Sequence, residues 1–159
     1  MTENFFEERK SIKQVEESTD LAPKFGSDGL IPVVTTDFNS GELLMQGYMS
    51  EEAFSQTLKL GEAVYYSRSR RSLWHKGKTS GFIQKIKEIR IDDDQDCIWL
   101  RVDVVGGWSC LVGYRSCFYR SVPFGEWINK SKIKLEFKEK EKVFDPKKIY
   151  KDAPNPTKL

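Results

Sequence analysis

No apolar run in this chain approaches the ~20 residues that a membrane span requires. The opening Met1-Thr2-Glu3-Asn4-Phe5-Phe6-Glu7-Glu8 has neither the basic start nor the apolar stretch of a secretory signal. Both absences point to a cytoplasmic protein without a membrane partner. Net charge is scarce too: Lys+Arg 26 against Asp+Glu 24 leave +2. That gives no overall field for nucleic acid, which is not expected as a partner, so any steering must come from local clusters. Cysteines number 3, and in a reducing compartment they argue for free thiols or metal ligands rather than disulfides. Histidine occurs once, at His75, and no internal repeat is visible.

The 159 residues, 38% hydrophobic and 13% aromatic, suit one domain able to bury roughly 70% of its unfolded surface. Residues 3–18 are polar with a few large apolar side chains, a pattern for a short amphipathic helix. Residues 30–37 read as a strand, Asn39-Ser40-Gly41-Glu42 as a hairpin turn and 43–48 as its return. Ser50 is a good N-cap before Glu51 and Glu52, and Gly61 supplies the stop, which makes 51–60 the best-marked helix. Residues 63–68, 83–91 and 97–105 are strand-like, and the last two pair across an acidic join. Beyond Pro123, residues 130–142 alternate charge with Ile133, Leu135 and Phe137 as an amphipathic strand. The three-proline tail lies over the domain or frays into solvent.

Chemistry concentrates in three blocks. Arg68, Arg70, Arg71, Lys76 and Lys78 crowd together with Ser67, Ser69, Thr79 and Ser80. Forked guanidinium donors and hydroxyls suit phosphate, while Gly77 and Gly81 let backbone approach it. With Trp74 the same loop could also hold single-stranded RNA. His75 within it is a candidate acid/base, although a lone histidine more often serves as a structural hydrogen-bonder. The second block is Asp92-Asp93-Asp94-Gln95-Asp96-Cys97. Strand alternation puts Asp92, Asp94 and Asp96 on one face and Asp93 on the other. Three close carboxylates repel, and a hard cation such as Mg²⁺ relieves that repulsion. A solvated hairpin tip competes with this reading, and pattern alone favours the tip. The third block holds Cys110 and Cys117 with Trp108, Tyr114, Phe118 and Tyr119. That cysteine spacing is a weak metal signal, since buried thiols and aromatic core side chains also account for it.

In combination the motifs are specific. Asp28-Gly29-Leu30-Ile31-Pro32, Gly41-Glu42-Leu43-Leu44-Met45, Tyr48-Met49, Ser67-Arg68-Ser69-Arg70, Leu73-Trp74-His75-Lys76-Gly77, Thr79-Ser80-Gly81 and Arg115-Ser116-Cys117-Phe118-Tyr119-Arg120 follow one another in order. Together they resemble the phosphoribosyl-AMP cyclohydrolase family of histidine biosynthesis, from about Lys24 to Arg120. The resemblance divides the chain into an N-terminal extension (1–23), a cyclohydrolase-like domain (24–125) and a C-terminal extension (126–159). It implies an α+β fold, mainly β, with a small barrel-like antiparallel or mixed sheet and one or two helices, built as an intertwined homodimer. It implies a phosphorylated nucleotide substrate, 1-(5-phosphoribosyl)-AMP, whose adenine N1–C6 bond is opened by metal-activated water. Mg²⁺ would sit on Asp92, Asp94 and Asp96, and Zn²⁺ on Cys110 and Cys117 with a ligand from the partner chain. Arg68, Arg70, Trp74, Lys76, Thr79, Ser80 and Arg115 would bind substrate, with His75 as acid/base.

Two departures from the family pattern bear on the zinc site. Asp93 stands where the family has a cysteine, and a carboxylate there is a harder ligand than a thiolate. Leu111 stands where the family usually has histidine, which removes a candidate proton carrier. Cys97 substitutes for the missing cysteine only if a tight turn at Gln95 draws it in. A divergent hydrolase for another purine or pyrimidine nucleotide and a non-catalytic nucleotide- or RNA-binding relative are the alternatives.

Overall fold

The computed structural model describes residues 4–106, 110–125, 132–151, 153 and 155–159. Trp108, one of the expected core aromatics, lies outside them, as do Lys130 and Ser131 at the start of the expected amphipathic strand.

The first hairpin forms as its sequence dictates. Strand β1 (Leu30–Asp37) follows Gly29, whose φ of 77° turns the chain. β2 (Leu43–Ser50) returns antiparallel to it. The Asp37 carboxylate accepts the N–H groups of Asn39 and Ser40 at 3.1 and 2.8 Å, an Asx-type closure of the turn. Helix α2 (Glu51–Leu60) starts where Ser50 Oγ accepts the Ala53 N–H and ends at Gly61 in the left-handed region. Its buried face carries Ala53, Phe54 and Thr57, and the Thr57 hydroxyl also ties the helix to Val64.

Two more hairpins follow. β3 (Val64–Ser67) pairs with β4 (Ser72–His75), so the basic block is itself a hairpin, not the plain loop its composition suggests. β5 (Gln84–Ile91) pairs antiparallel with β6 (Ile98–Val104) across the acidic turn. β6 also runs parallel to β1, and the main sheet has the order β2-β1-β6-β5. Ile98, Leu100, Val102 and Val104 alternate inward from β6 against Ile31, Val33, Leu44, Phe54 and Tyr65.

This is an α+β fold, mainly sheet, but the sheet is open and the expected barrel is corrected. The edge strands β2 and β5 do not pair with each other. The β3–β4 hairpin reaches β5 through a single bridge, Glu62 to Lys85, flanked by Ala63 N–H to Gln84 O and Ile86 N–H to Gly61 O. The ladder stops there, and closure fails for want of continuous backbone pairing. The expectation of one or two helices is also corrected. Besides α2 there are α1 (Ile12–Glu17), capped by Ser11, and α3 (Pro146–Tyr150), capped by Asp145. Of the described residues 132–142, only β8 (Glu136–Phe137) is strand, paired with β7 (Arg120–Ser121).

Gly77, at the exit of β4, has φ 90°, and a Cβ there would run into the backbone of Phe82 and of Ile83. Neither partner is a side chain that can swing away. We expect Gly77→Ala to destabilise the fold by about 3 kcal/mol, from the left-handed penalty plus overpacking. Urea denaturation monitored by tryptophan fluorescence checks it.

Candidate active site

The acidic residues converge through a turn rather than through strand alternation. Gln95 N–H bonds to Asp92 O at 3.1 Å, and Gln95 has φ 57°. This tight turn brings carboxylate oxygens of Asp92, Asp94 and Asp96 within 4.8 Å of one another. Asp92 Oδ1 accepts the N–H groups of Asp96 and Cys97 at 2.9 and 3.0 Å. Partial burial pushes the Asp92 carboxyl up, but its hydrogen bonds with Asp96 and these N–H groups prevail and hold it below the usual range. Hydrogen bonding to Asp92 and Asp94, and their charge, push Asp96 up to about 6. Such crowding is what a divalent cation relieves, and three carboxylate oxygens are a suitable donor set for a hard one.

The turn is braced from the N-terminal extension. The Gln95 side chain, on a residue 5% exposed, donates to Val15 O and Asp20 O and accepts the Ala22 N–H. Arg9 bridges Ala22 O and Asp94 O at 2.6 and 2.9 Å. Residues 4–22 therefore fix the backbone that carries the carboxylates.

Cys110 and Cys117 also meet. Cys110 is buried and Cys117 exposed. Cys117 N–H bonds to Leu44 O at 2.8 Å, which seats this segment against β2. A hydrogen bond from the Cys117 thiol draws Cys110 down to about 6, and the same interaction pushes Cys117 up. The ammonium of Lys76, 2% exposed, lies near both sulfurs. Burial lowers its pKa, and the two cysteines raise it. An acidified thiol pair is a fitting donor set for a soft metal, though it supplies two of the four ligands zinc usually takes. Among the described residues of one chain, no third Cys, His, Asp or Glu completes a group with this pair. Asp93 is exposed and stands outside the three-carboxylate group. The turn at Gln95 does draw the Cys97 N–H to Asp92, but its thiol contacts Ile98 O at 3.9 Å and joins neither group.

The β3–β4 hairpin supplies the cations. A cavity of about 690 Å³ is lined by Tyr48, Tyr66, Arg68, Arg70 and Trp74 among others. The Arg68 guanidinium stacks 4.1 Å from the Tyr48 ring centroid, and Arg70 Nε donates to Ser67 Oγ. A second cavity, about 430 Å³, shares Arg70 and Trp74 and adds Thr79 and Leu111. Both volumes suit a nucleotide-sized ligand. Trp74 packs on Tyr65 with Arg70 and Lys76 cations 5.5 and 5.0 Å from its ring centroid. Ser80 bonds to the Phe82 N–H and to the Tyr150 hydroxyl.

Three expected residues are placed differently from a simple phosphate grip. Lys76 faces the thiol pair. Arg115 is ion-paired with Glu42 and lines neither cavity. His75 lines neither cavity as well, and its Nε2 lies 2.9 Å from Glu62 Oε1. A carboxylate there holds a proton on Nε2 and leaves Nδ1 as the basic nitrogen. Glu62 was missed in the sequence, and its only signal was its place just past the helix stop Gly61. Tyr150 was missed too: its phenol lies near both cysteines, and burial followed by those sulfurs raises its pKa.

Cation-rich cavities beside a thiol pair, with a separate carboxylate cluster, define the class: an α+β enzyme for a phosphorylated ligand with candidate metal sites. The profile for phosphoribosyl-AMP cyclohydrolase matches residues 45–119. A phosphoribosyl-AMP cyclohydrolase of Rhodopseudomonas palustris is 47% identical over 136 residues, covering 86% of this chain and 88% of its own. One from Nitrobacter winogradskyi is 44% identical over 142 residues, covering 89% and 95%. One from Desulforapulum autotrophicum is 49% identical over 123 residues, covering 77% and 92%. The chain belongs to the phosphoribosyl-AMP cyclohydrolase family.

Proposed function

We propose that this protein hydrolyses the N1–C6 bond of the adenine ring in 1-(5-phosphoribosyl)-AMP, a cytoplasmic step of L-histidine biosynthesis. The observation that carries the reading is the pair of cations, Arg70 and Lys76, held over the Trp74 ring, with Lys76 also close to Cys110 and Cys117. In this reading the cations would grip phosphate and the ring would stack on the base, close to the thiol pair. Among the described residues no helix is long and apolar enough to cross a membrane.

Cys110 and Cys117 would hold zinc, and Asp92, Asp94 and Asp96 would hold magnesium. When bound, the metals would acidify a water and neutralise phosphate charge. The chain's own groups do the rest. Arg68, Arg70, Thr79 and Ser80 take phosphate oxygens, and Trp74 stacks on the ring. His75, held by Glu62 outside both cavities, would relay through water the proton that the attacking water loses and N1 gains as the C6–N1 bond breaks. Lys76 balances the charge of the thiolates, and Arg115, paired with Glu42, ties the segment that carries Cys117 to the start of β2. In a homodimer, Asp93 of a second copy would join the thiol pair, which finds no further ligand among the described residues of one chain.

The test is absorbance-followed turnover of 1-(5-phosphoribosyl)-AMP by purified protein, in chelator and then with Zn²⁺ and Mg²⁺ restored. Turnover that disappears in chelator and returns with the metals is expected. No turnover in any metal mixture, from a folded protein, would sink the reading.

A further inference from the structure

The C-terminal residues are more than a loose extension. Val143 N–H bonds to Gly113 O at 2.7 Å, and a Cβ on Gly113 would meet Phe144 O at 2.6 Å. Phe144 packs edge-on to Phe82, with centroids 5.3 Å apart. The hydrogen bond between the Ser80 and Tyr150 hydroxyls then pins α3 above the loop that follows β4. These contacts set Lys147 and Lys151 into the wall of the 430 Å³ cavity, together with Arg70 and Thr79. The described lining of that cavity holds three cations and no carboxylate. Exposed lysines scattered on a surface are ordinary, but three cations around one concavity focus a positive field on a ligand. The 690 Å³ cavity meets it at Arg70, Trp74 and Pro156 and carries its own cations, Arg68 and Lys158.

We infer that the C-terminal segment is a wall of the substrate pocket, in which Lys147 and Lys151 bind a phosphate monoester at one end of a bis-phosphorylated nucleotide. This rests on the proposed substrate, which carries one phosphate on each of its two ribose groups. The second phosphate lies in the larger cavity near Arg68, and the ring between them lies against Trp74. Lys147 and Lys151 act by charge and hydrogen bonding at the phosphate oxygens and take no part in ring opening. Their loss therefore weakens ground-state and transition-state binding alike.

The experiment measures equilibrium binding of 1-(5-phosphoribosyl)-AMP and of AMP to metal-stripped protein, with steady-state kinetics of the metal-restored enzyme. The proteins are the wild type, Lys147→Ala/Lys151→Ala and Lys147→Arg/Lys151→Arg. The alanine pair is expected to bind the bis-phosphate at least about tenfold more weakly, as loss of charge-assisted hydrogen bonds predicts. The advantage of the bis-phosphate over AMP should shrink by a similar factor. KM should rise with kcat within about twofold, and the arginine pair should restore both. A wild type that binds the bis-phosphate while the alanine pair binds it equally well overturns the role of the C-terminal lysines and leaves the proposed reaction standing. A folded wild type that neither binds nor turns over the bis-phosphate overturns both.

Discussion

Cys117→Ser is expected to lower kcat by on the order of 10³-fold or more and to release zinc from the purified protein. A zinc-bound water ionises near pH 7 and a free one near 16, so a lost metal withdraws the activated water altogether. Two features make Cys117 the sensitive position. Its thiol hydrogen-bonds Cys110 and draws that sulfur's pKa down to about 6, so the pair presents a thiolate at neutral pH. A serine hydroxyl in its place remains protonated and is a poor ligand for zinc. The backbone of residue 117 is held by Leu44 O, independently of the side chain, so the fold should survive the change. Cys97→Ser is the internal control: its thiol joins neither metal group, and zinc content should be unchanged. Metal content per chain, read by elemental analysis beside kcat, decides the matter. Full zinc occupancy in Cys117→Ser would remove the thiol pair from the metal assignment.

Local chemistry was the legible part of the fold. The β1–β2 hairpin, α2 with its Ser50 and Gly61 ends, and the β5–β6 pair all follow from caps, turns and alternation within a few residues. The parallel neighbour β6 of β1 does not, because that register is set by core packing between segments 65 residues apart. In the site, Asp92, Asp94 and Asp96 were grouped correctly for the wrong reason. The expected strand face is a turn, and the left-handed conformation of Gln95 does the grouping. Lys76 looked like one cation among several, since composition cannot show which charge a hairpin turns inward. The partners of His75 and Ser80, namely Glu62 and Tyr150, come from outside the motifs that draw attention to the loop. The expected barrel failed for a comparable reason: a sheet closes only if the last backbone ladder is continuous, and a single bridge at Glu62 leaves no trace in side-chain pattern.

Asp92→Asn/Asp94→Asn should weaken Mg²⁺ binding by on the order of 10²-fold or more, because affinity at oxygen sites follows the number of charged ligands. The wild-type pH dependence follows from Asp96, whose carboxyl is pushed up to about 6 by its neighbours. Below that pH a proton occupies the cluster and competes with the cation. Mg²⁺ affinity should then fall by about tenfold for each further pH unit, and level off above about pH 6. Stability in chelator runs the opposite way. The folded pKa of Asp96 lies above its unfolded value near 3.8. Its contribution is therefore fully present below that value and is lost as pH rises through about 6. Asp92, held below its ordinary value, works with the opposite sign at lower pH, so the two effects separate along the axis. Asp96→Asn should consequently raise the melting temperature of the metal-free protein at neutral pH and flatten its pH dependence. Saturating Mg²⁺ should do the same for the wild type by relieving the repulsion that the substitution removes. Mg²⁺ affinity measured by equilibrium dialysis across about pH 5 to 7 reads the first effect, and thermal denaturation in chelator reads the second. If affinity stays flat across that window, the cation is not held by this cluster, and the three carboxylates are a solvated turn.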